Sequence, residues 1–389
     1  MHAGRIIFSQ LLDFLPRYPF QLCVQRYRGD YHLRSFSCLD QFLCMAFAQL
    51  TYRDSLRDIE TCLRAMHGKL YHAGLRGQVS RSTLADANEK RDWRIWADLA
   101  QVLIGSARKL YQHDPFGVQL DEAAYVLDAT TIDLCLTLFP WAHFRQHKAG
   151  IKLHTLLDLR GNIPCFIQVT DAKTHELKVL DLIQTEAGAF YVMDKAYTDF
   201  ARLFLLNQHM CFFLIRAKKG LDYSRHAYVR VDKSTGVRSD QSIRLAGPKS
   251  STLYPNLLRR ISYYDIETEK RLVFLTNHFV LPALTIAQLY KCRWQVELFF
   301  KWIKNHLRIK SFYGTSPNAV KTQVWIAVSV YVLVAILKKE LKLERELSEI
   351  LQILSISLFE ELPLGQALTA DLPKTLQSDL PNSLPLFDF

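Results

Sequence analysis

Through the first 120 residues apolar side chains recur every three to four positions, and after Glu122 they alternate residue by residue. The first pattern predicts amphipathic helices and the second half-buried strands. Helices are expected over Ser37–Ala48, Ser55–Met66 and Thr83–Tyr111, separated by glycine and polar breaks. Ser55, ahead of LRDIETCLRAM, and Ser82, ahead of TLADANEKRDW, are the expected N-caps. The link between those two helices is about fifteen residues and holds Gly68, Gly74 and Gly77, longer than the turn of a helix-turn-helix. Two expectations stand for this region: DNA contact with Ser80–Arg91 as the reading helix, or helical packing and dimerisation.

From Glu122 onward, Ala124–Leu136, Gly150–Leu159 and Ile163–Thr170 read as strands, with a tight Gly161-Asn162 turn between the last two. A helix is expected at about His175–Thr185, a buried strand at Ala189–Met193, a helix at Thr198–His209 and a strand at Cys211–Ala217. The order β-β-β-α-β-α-β predicts an α/β fold with an RNase H-like mixed-sheet core. Short strands follow at Ala227–Asp232, Gln241–Leu245, Leu258–Asp265 and Arg271–Thr276, a β-rich insertion in that core. Thr285 and Gln288 form a T-x-x-Q capping box expected to open the next helix. A further helix is expected over 317–340, behind Ser316-Pro317. Its apolar stretch, Val324–Leu337, is short for a bilayer and reads as buried. The expected organisation is therefore an all-helical, DNA-binding N-terminal domain over 1–120, the first part of the core over 121–217 and the insertion over 218–280. The final core helices take 281–345, and an acidic C-terminal tail 346–389, with Asp371–Phe389 flexible.

Charge changes this picture in two places. The chain of 389 residues has a formal net charge of +11, which favours a polyanionic partner. Residues 216–260 hold eleven Lys and Arg against Asp222, Asp232 and Asp240, whereas 340–389 hold nine Asp and Glu against Lys342, Arg345 and Lys374. Strands need no such cationic excess to fold, so phosphate contact is expected from Lys218, Lys219, Arg259 and Arg260. His147, Lys148 and Lys152 are weaker candidates. The eight cysteines are scattered, with no C-x-x-C pair, which argues against structural zinc and a disulfide framework. The N-terminus has too short an apolar core for a signal peptide, so a soluble protein without membrane contact is expected.

The candidate chemistry sits in YKCRWQVELFFKWIK, from Tyr290 to Lys304. On one continuous helix Tyr290, Arg293, Glu297, Lys301 and Lys304 would fall within an arc of roughly 80°. Val296, Phe299, Phe300, Ile303 and Leu307 form an apolar stripe beside it. A lone carboxylate on a basic face suits a site that holds a metal ion and a polyanion together. The blander reading is an i,i+4 partner for Arg293 or Lys301. Asp128 lies inside the first strand, where a carboxylate is costly unless compensated. Asp194 ends the strand AFYVMD, where a simple N-cap is the competing role. Asp133 alternates to the opposite face from Asp128, and Asp158 and Asp171 read as turn or edge residues.

Tyr290, Arg293, Glu297 and Lys304 reproduce a Y-(2)-R-(3)-E-(6)-K signature without a gap, and the chain resembles the IS4 family of DDE transposases. The resemblance is strong over 121–345 and absent in the tail. Over 1–120 it is fair, to an uncharacterised N-terminal domain of one subgroup. It implies that Asp128, Asp194 and Glu297 are the catalytic carboxylates and share two Mg²⁺ or Mn²⁺ ions. Oxygen-only ligands suit those metals. Two such ions serve an in-line phosphodiester displacement by water or a 3′-hydroxyl. Tyr290, Arg293, Lys301 and Lys304 would then hold DNA phosphates.

The resemblance further implies a bacterial, cytoplasmic, nucleoid-associated enzyme acting on double-stranded DNA as a homodimer. It would bind terminal inverted repeats and target DNA, then cleave and join them. The alternatives are a related nuclease that cuts without joining, and a catalytically dead DNA-binding derivative. Two departures stand out. Ala196 replaces the glycine of the family's D-x-G-Y/F, and residues 195–293 hold no tryptophan to stack a flipped base. Tyr223, Tyr228, Tyr254, Tyr263 and Tyr264 are left as candidates for that role.

Overall fold

A computed structural model describes residues 5–33, 35–75, 77–145, 148–306 and 312–369, and shows a large mixed sheet covered by helices. The strands are β1 (Ala124–Leu134), β2 (His143–Arg145), β3 (Lys148–Asp158), β4 (Ile163–Asp171), β5 (Phe190–Met193), β6 (Phe212–Arg216), β7 (Tyr223–Val229), β8 (Val237–Leu245), β9 (Leu258–Asp265) and β10 (Lys270–Thr276). Among the described residues their order is β2-β3-β1-β5-β6-β10-β9-β8-β7, with β4 paired to β3. The pairs β1–β5 and β5–β6 are parallel; β3 runs antiparallel to β1 and β10 antiparallel to β6. The expected strand order is present, and β2 is an addition. The helix expected over His175–Thr185 shrinks to Leu177–Leu180, where Val179 is the buried residue and gives a longer helix little to pack with.

The strands expected as an insertion over 218–280 extend the same sheet. β10 pairs with β6 through Phe274, Leu275 and Thr276, so the basic segment is joined to the core by backbone hydrogen bonds. Its sequence alternates like the rest of the sheet, and nothing local separates it.

The spine of the core is the helix Pro317–Glu340, opened by Ser316, whose hydroxyl accepts from Ala319 N at 3.1 Å. Val324–Leu337 is buried throughout. The most apolar 18-residue window of the helix has a mean hydropathy of 1.9 and is 94% buried within the protein. Helices Cys38–Leu50 and Arg94–Tyr111 pack on it, and Tyr111 donates its hydroxyl to Ala335 O at 2.8 Å.

Up to residue 120 the described residues form helices and turns. Phe42, Trp96 and Leu103 nonetheless join the same hydrophobic cluster as Val126 and Val324, so these helices share the core of the sheet. The helix expected over Thr83–Tyr111 is two, Arg81–Lys90 and Arg94–Tyr111. Its cap is Ser80, not Ser82. The break is held from a distance by Asn318, whose amide donates to Asn88 O (2.9 Å) and Arg91 O (2.7 Å) and accepts from Trp93 N (3.2 Å).

The tail expected from 346 is likewise corrected as far as Thr369. Helices Leu347–Ser357 and Leu364–Thr369 bury Ile350, Leu351, Leu354 and Leu368. The segment is stitched to the N-terminus by Phe8 N to Leu358 O (2.9 Å) and Leu364 N to Gln10 Oε1 (2.8 Å). Its acidic residues concealed an apolar stripe that needed covering. Asp371–Phe389 lie outside the described residues.

Gly161 and Asn162 turn β3 into β4 with φ of 76° and 54°, the left-handed pair that a two-residue turn requires. A Cβ on Gly161 would lie 2.3 Å from the Tyr111 ring. Gly161→Ala should therefore cost about 2–3 kcal/mol, from overpacking added to the positive φ, read as a lowered urea midpoint. An unchanged midpoint would mean that the turn and the Tyr111 ring can part freely.

Candidate active site

Residue alternation along β1 puts Asp128 in phase with Ala124, Val126 and Ile132, the face packed into the large core cluster. Asp133 falls on the other face and is exposed. β5 lies parallel beside β1 with Leu127 opposite Met193. Asp194 continues the phase of Phe190 and Val192, which belong to the same cluster. The two carboxylates thus emerge from adjacent strands on one face. Asp194 starts the short turn Lys195–Tyr197 but its side chain makes no capping bond. Its carboxylate has no hydrogen-bond partner among the described residues.

The signature segment is not the single helix expected. One helix, Ala283–Lys291, ends at Cys292, and a second, Trp294–His306, begins two residues later. Tight turns join them, with Arg293 N bonded to Tyr290 O at 3.1 Å and Gln295 N to Cys292 O at 3.0 Å. The first helix also starts at Ala283 behind Pro282, with no side-chain cap, so the T-x-x-Q box is not used. Tyr290 and Glu297 are therefore on different helices, and Arg293 stands at the break between them.

That break aims Arg293 at the sheet. Its Nη1 donates to Asp128 Oδ2 at 2.8 Å, and its Nη2 donates to Glu297 Oε1. Arg293 and Asp128 are both largely buried, with side chains 19% and 18% exposed; Glu297 is at 34%. Burial pushes the Asp128 carboxyl up to about 6, with Asp194 and Glu297 adding to the rise. Arg293 and the Ala129 N–H, which donates to Asp128 at 2.8 Å, oppose it. Thr155 faces Asp128 across the β1–β3 pair, and its buried hydroxyl has no partner among the described residues. Tyr197 is fully buried with an unpartnered hydroxyl. Burial raises its pKa, and the charges of Glu176, Asp128 and Asp194 add to the rise.

Among the described residues no group of three His, Cys, Asp or Glu stands close enough to hold a metal ion. Asp128 and Glu297 are instead one guanidinium apart, with Arg293 between them.

The expected phosphate contacts are distributed unevenly. Lys301 is exposed on the glutamate helix, whereas Lys304 reaches down to Thr130 Oγ1 (2.6 Å) and Thr131 O (2.8 Å). Lys304 thus ties that helix to β1. Tyr290 is 8% exposed and packs its ring 4.7 Å from Phe274. Burial pushes its phenol up to about 12. Arg259 is corrected as a contact. It is 6% exposed, paired with Asp240 at 2.6 and 2.9 Å, and donates to Leu281 O at 2.6 Å. Arg260 is half-buried over the Tyr223 ring, and Lys218 and Lys219 are exposed. Lys152 pairs with Glu176 at 3.3 Å. His147 and the Lys148 side chain lie outside the described residues. Asp158 pairs with Arg108 at 3.2 Å, and Asp171 accepts from Thr174 N at 2.9 Å to close a turn. Thr155 escapes sequence reading, and Tyr197 enters it only as the aromatic end of the Asp194–Tyr197 motif, because a hydroxyl in a strand or turn looks like any other until its neighbours are known.

A family model described as a transposase DDE domain matches residues 119–333. The chain belongs to the DDE transposase family. A second model, a domain of unknown function (DUF4372), covers residues 3–76. A protein of Sinorhizobium fredii (strain NBRC 101917 / NGR234), named as transposase y4zB, is 33% identical over 65% of this chain and 70% of its own length. The transposase named for insertion sequence element IS5377 of Geobacillus stearothermophilus is 28% identical over 57% of this chain and 59% of its own. The one named for element IS4SA of Synechocystis sp. (strain ATCC 27184 / PCC 6803 / Kazusa) is 23% identical over 81% and 87%. The resemblance drawn from Tyr290, Arg293, Glu297 and Lys304 is borne out at the level of family and insertion-sequence type. A solved piggyBac transposase synaptic complex with hairpin DNA overlays with a TM-score of 0.43, 10% identity and coverage of 97% and 84%. That overlay is too loose to bear on the site.

Asp128 gives this DDE transposase a testable pH signature. The folded chain holds the Asp128 proton up to about pH 6, whereas an unfolded chain releases it near pH 4, so this group makes stability fall as pH rises between those values. Asp128→Asn should remove that contribution and gain stability relative to wild type between pH 4 and pH 7, measured by urea unfolding. The same offset at both pH values would show that the carboxyl is not raised.

Proposed function

We propose that this chain is the transposase of a bacterial insertion sequence that cleaves and joins double-stranded DNA, with Asp128, Asp194 and Glu297 as its catalytic carboxylates. The observation that carries the reading is the shared guanidinium. Arg293 pairs with Asp128 and Glu297 at once, and Asp194 emerges from the neighbouring strand on the same face. A cation is already held between two of the three carboxylates. The run β4-β3-β1-β5-β6 across the sheet, with β1, β5 and β6 parallel, fits an RNase H-like core.

The donors fit a hard divalent ion. All three are carboxylates, Asp194 lacks a partner, and the orphaned Thr155 hydroxyl offers a place for ordered water beside Asp128. Asp128, Asp194 and Glu297 would hold Mg²⁺ or Mn²⁺, which would activate the attacking hydroxyl and stabilise the leaving oxygen. Arg293 must leave the carboxylates for this, and its planar fork is suited to take a DNA phosphate instead. Lys304 keeps the glutamate helix pinned to β1, so Glu297 stays in register while Arg293 moves. Lys301, Lys218, Lys219 and Arg260 would position the duplex through its phosphates. The N-terminal helices would contribute to recognition of the terminal repeats, with two copies of the chain bridging the two ends. The work would take place in the cytoplasm, on the nucleoid.

A supercoiled plasmid carrying the element's ends, incubated with Mg²⁺, should be nicked and its ends joined to target. Glu297→Gln should lower both rates by more than about 100-fold without moving the thermal midpoint by more than a degree or two. Nicking without joined product would favour the nuclease reading, and no difference between the two proteins a catalytically dead derivative.

Arg293→Gln separates the two roles of the guanidinium. Without DNA it should bind Mn²⁺ about tenfold more tightly in a calorimetric titration, equivalent to about 1.4 kcal/mol, while cleavage falls. Unchanged or weaker Mn²⁺ affinity would mean that Arg293 does not compete for the carboxylates.

A further inference from the structure

Beyond its covering helices the sheet ends in β7, an outer strand along which residues 224–229 are exposed. There, three arginines lie over three tyrosine rings: Arg225 over Tyr228 at 5.9 Å, Arg238 over Tyr264 at 5.3 Å, and Arg260 over Tyr223 at 5.0 Å. The pairing of Tyr228 with Gln241, Gln241 with Arg260, and Tyr223 with Leu245 puts this array on one face. It is the face whose inner residues Ile243, Leu245 and Leu258 are buried in the smaller core cluster. Arg225 and Arg238 are exposed, and Tyr228 is 73% exposed. None of the three arginines has a carboxylate partner among the described residues, unlike Arg259 on the opposite face, which is committed to Asp240.

A guanidinium stacked on a ring uses its plane and leaves its N–H edges free. Its rotamer freedom is already spent, so a bidentate bond to an anion costs less ordering. Three such groups with no acid among them match a polyanion whose charges repeat at intervals. The phosphate backbone of DNA is that polyanion.

The array and the carboxylates leave opposite faces of the sheet, and a sheet of ordinary twist turns the outermost strand of the array toward the carboxylate side. Six strand steps separate β1 from β7. At roughly 20–25° per step the face normal rotates by about 120–150°. The back face at β7 thus points within about 30–60° of the direction the carboxylate face takes at β1, whichever way the sheet turns. Arg260 on β9, Arg238 on β8 and Arg225 on β7 lie four, five and six steps from β1, roughly 19–29 Å, or about six to nine base pairs of duplex.

We propose that the Arg225, Arg238 and Arg260 array grips the phosphate backbone of the duplex being cut, about six to nine base pairs from the scissile phosphate. This rests on the transposase reading above and adds where the substrate runs. The test is hydroxyl-radical footprinting of the full chain on a duplex carrying the element's terminal repeat, without divalent metal, beside a salt titration of affinity. In Arg225→Ala/Arg238→Ala, protection should vanish about seven to nine base pairs from the cleavage point and persist at the cleavage point itself. The slope of log K against log salt should flatten by about 1.8, and Arg225→Lys/Arg238→Lys should restore most of it. An unchanged footprint and slope would overturn the proposal, as would loss of protection along the whole duplex. Metal-free footprinting reads binding alone. A chain that footprints as described but never cuts would sink the transposase reading and leave this contact standing, and a chain that cuts with an unaltered footprint in the double variant would do the reverse.

Discussion

A carboxylate buried in a β-sheet must be neutralised or compensated, and the site is organised around that requirement. Asp128 sits on the covered face of β1, and its ionised form is disfavoured by burial and by two neighbouring acids. The compensation comes from Arg293, which stands where the helix is interrupted between Lys291 and Trp294. From that position one guanidinium spans the strand and the helix. Lys304, bonded to β1 about two turns beyond Glu297, holds the other end of that helix down.

The surrounding architecture keeps these parts from drifting apart. The helix Pro317–Glu340 is packed by helices from residues 38–111 on one side and by the segment after 346 on another. Sheet, N-terminal helices and C-terminal helices therefore bury their apolar faces in one cluster. β7 to β10 are hydrogen-bonded into the sheet that carries Asp128 and Asp194. A basic surface and an acidic centre thus share one backbone ladder, and the distance between them is set by strand spacing.

Much of this was legible before any coordinate. Alternation separated Asp128 from Asp133, and the Gly161-Asn162 turn and the basic strands followed from local chemistry. The errors share a physical origin. The Arg91–Trp93 break depends on Asn318, more than two hundred residues away. Arg259 looked like its neighbour Arg260 because charge in a sequence says nothing about which side of a strand meets Asp240. The acidic character after Lys342 masked Ile350, Leu351 and Leu354, whose burial depends on the N-terminus arriving to cover them.

By itself the sequence determined most strands from Ala124 to Thr276, the helices near residues 38–65 and 317–340, the faces of β1, and the residue types gathered near Glu297. These follow from periodicities of two and 3.6, which a chain carries locally. Only the tertiary structure decided that Arg293 lies between Asp128 and Glu297, that Arg259 is buried while Arg225 and Arg238 are open, and that the basic strands continue the sheet. Those outcomes depend on which surfaces meet across long sequence separations, and side-chain charge and hydropathy are the same whichever partner arrives.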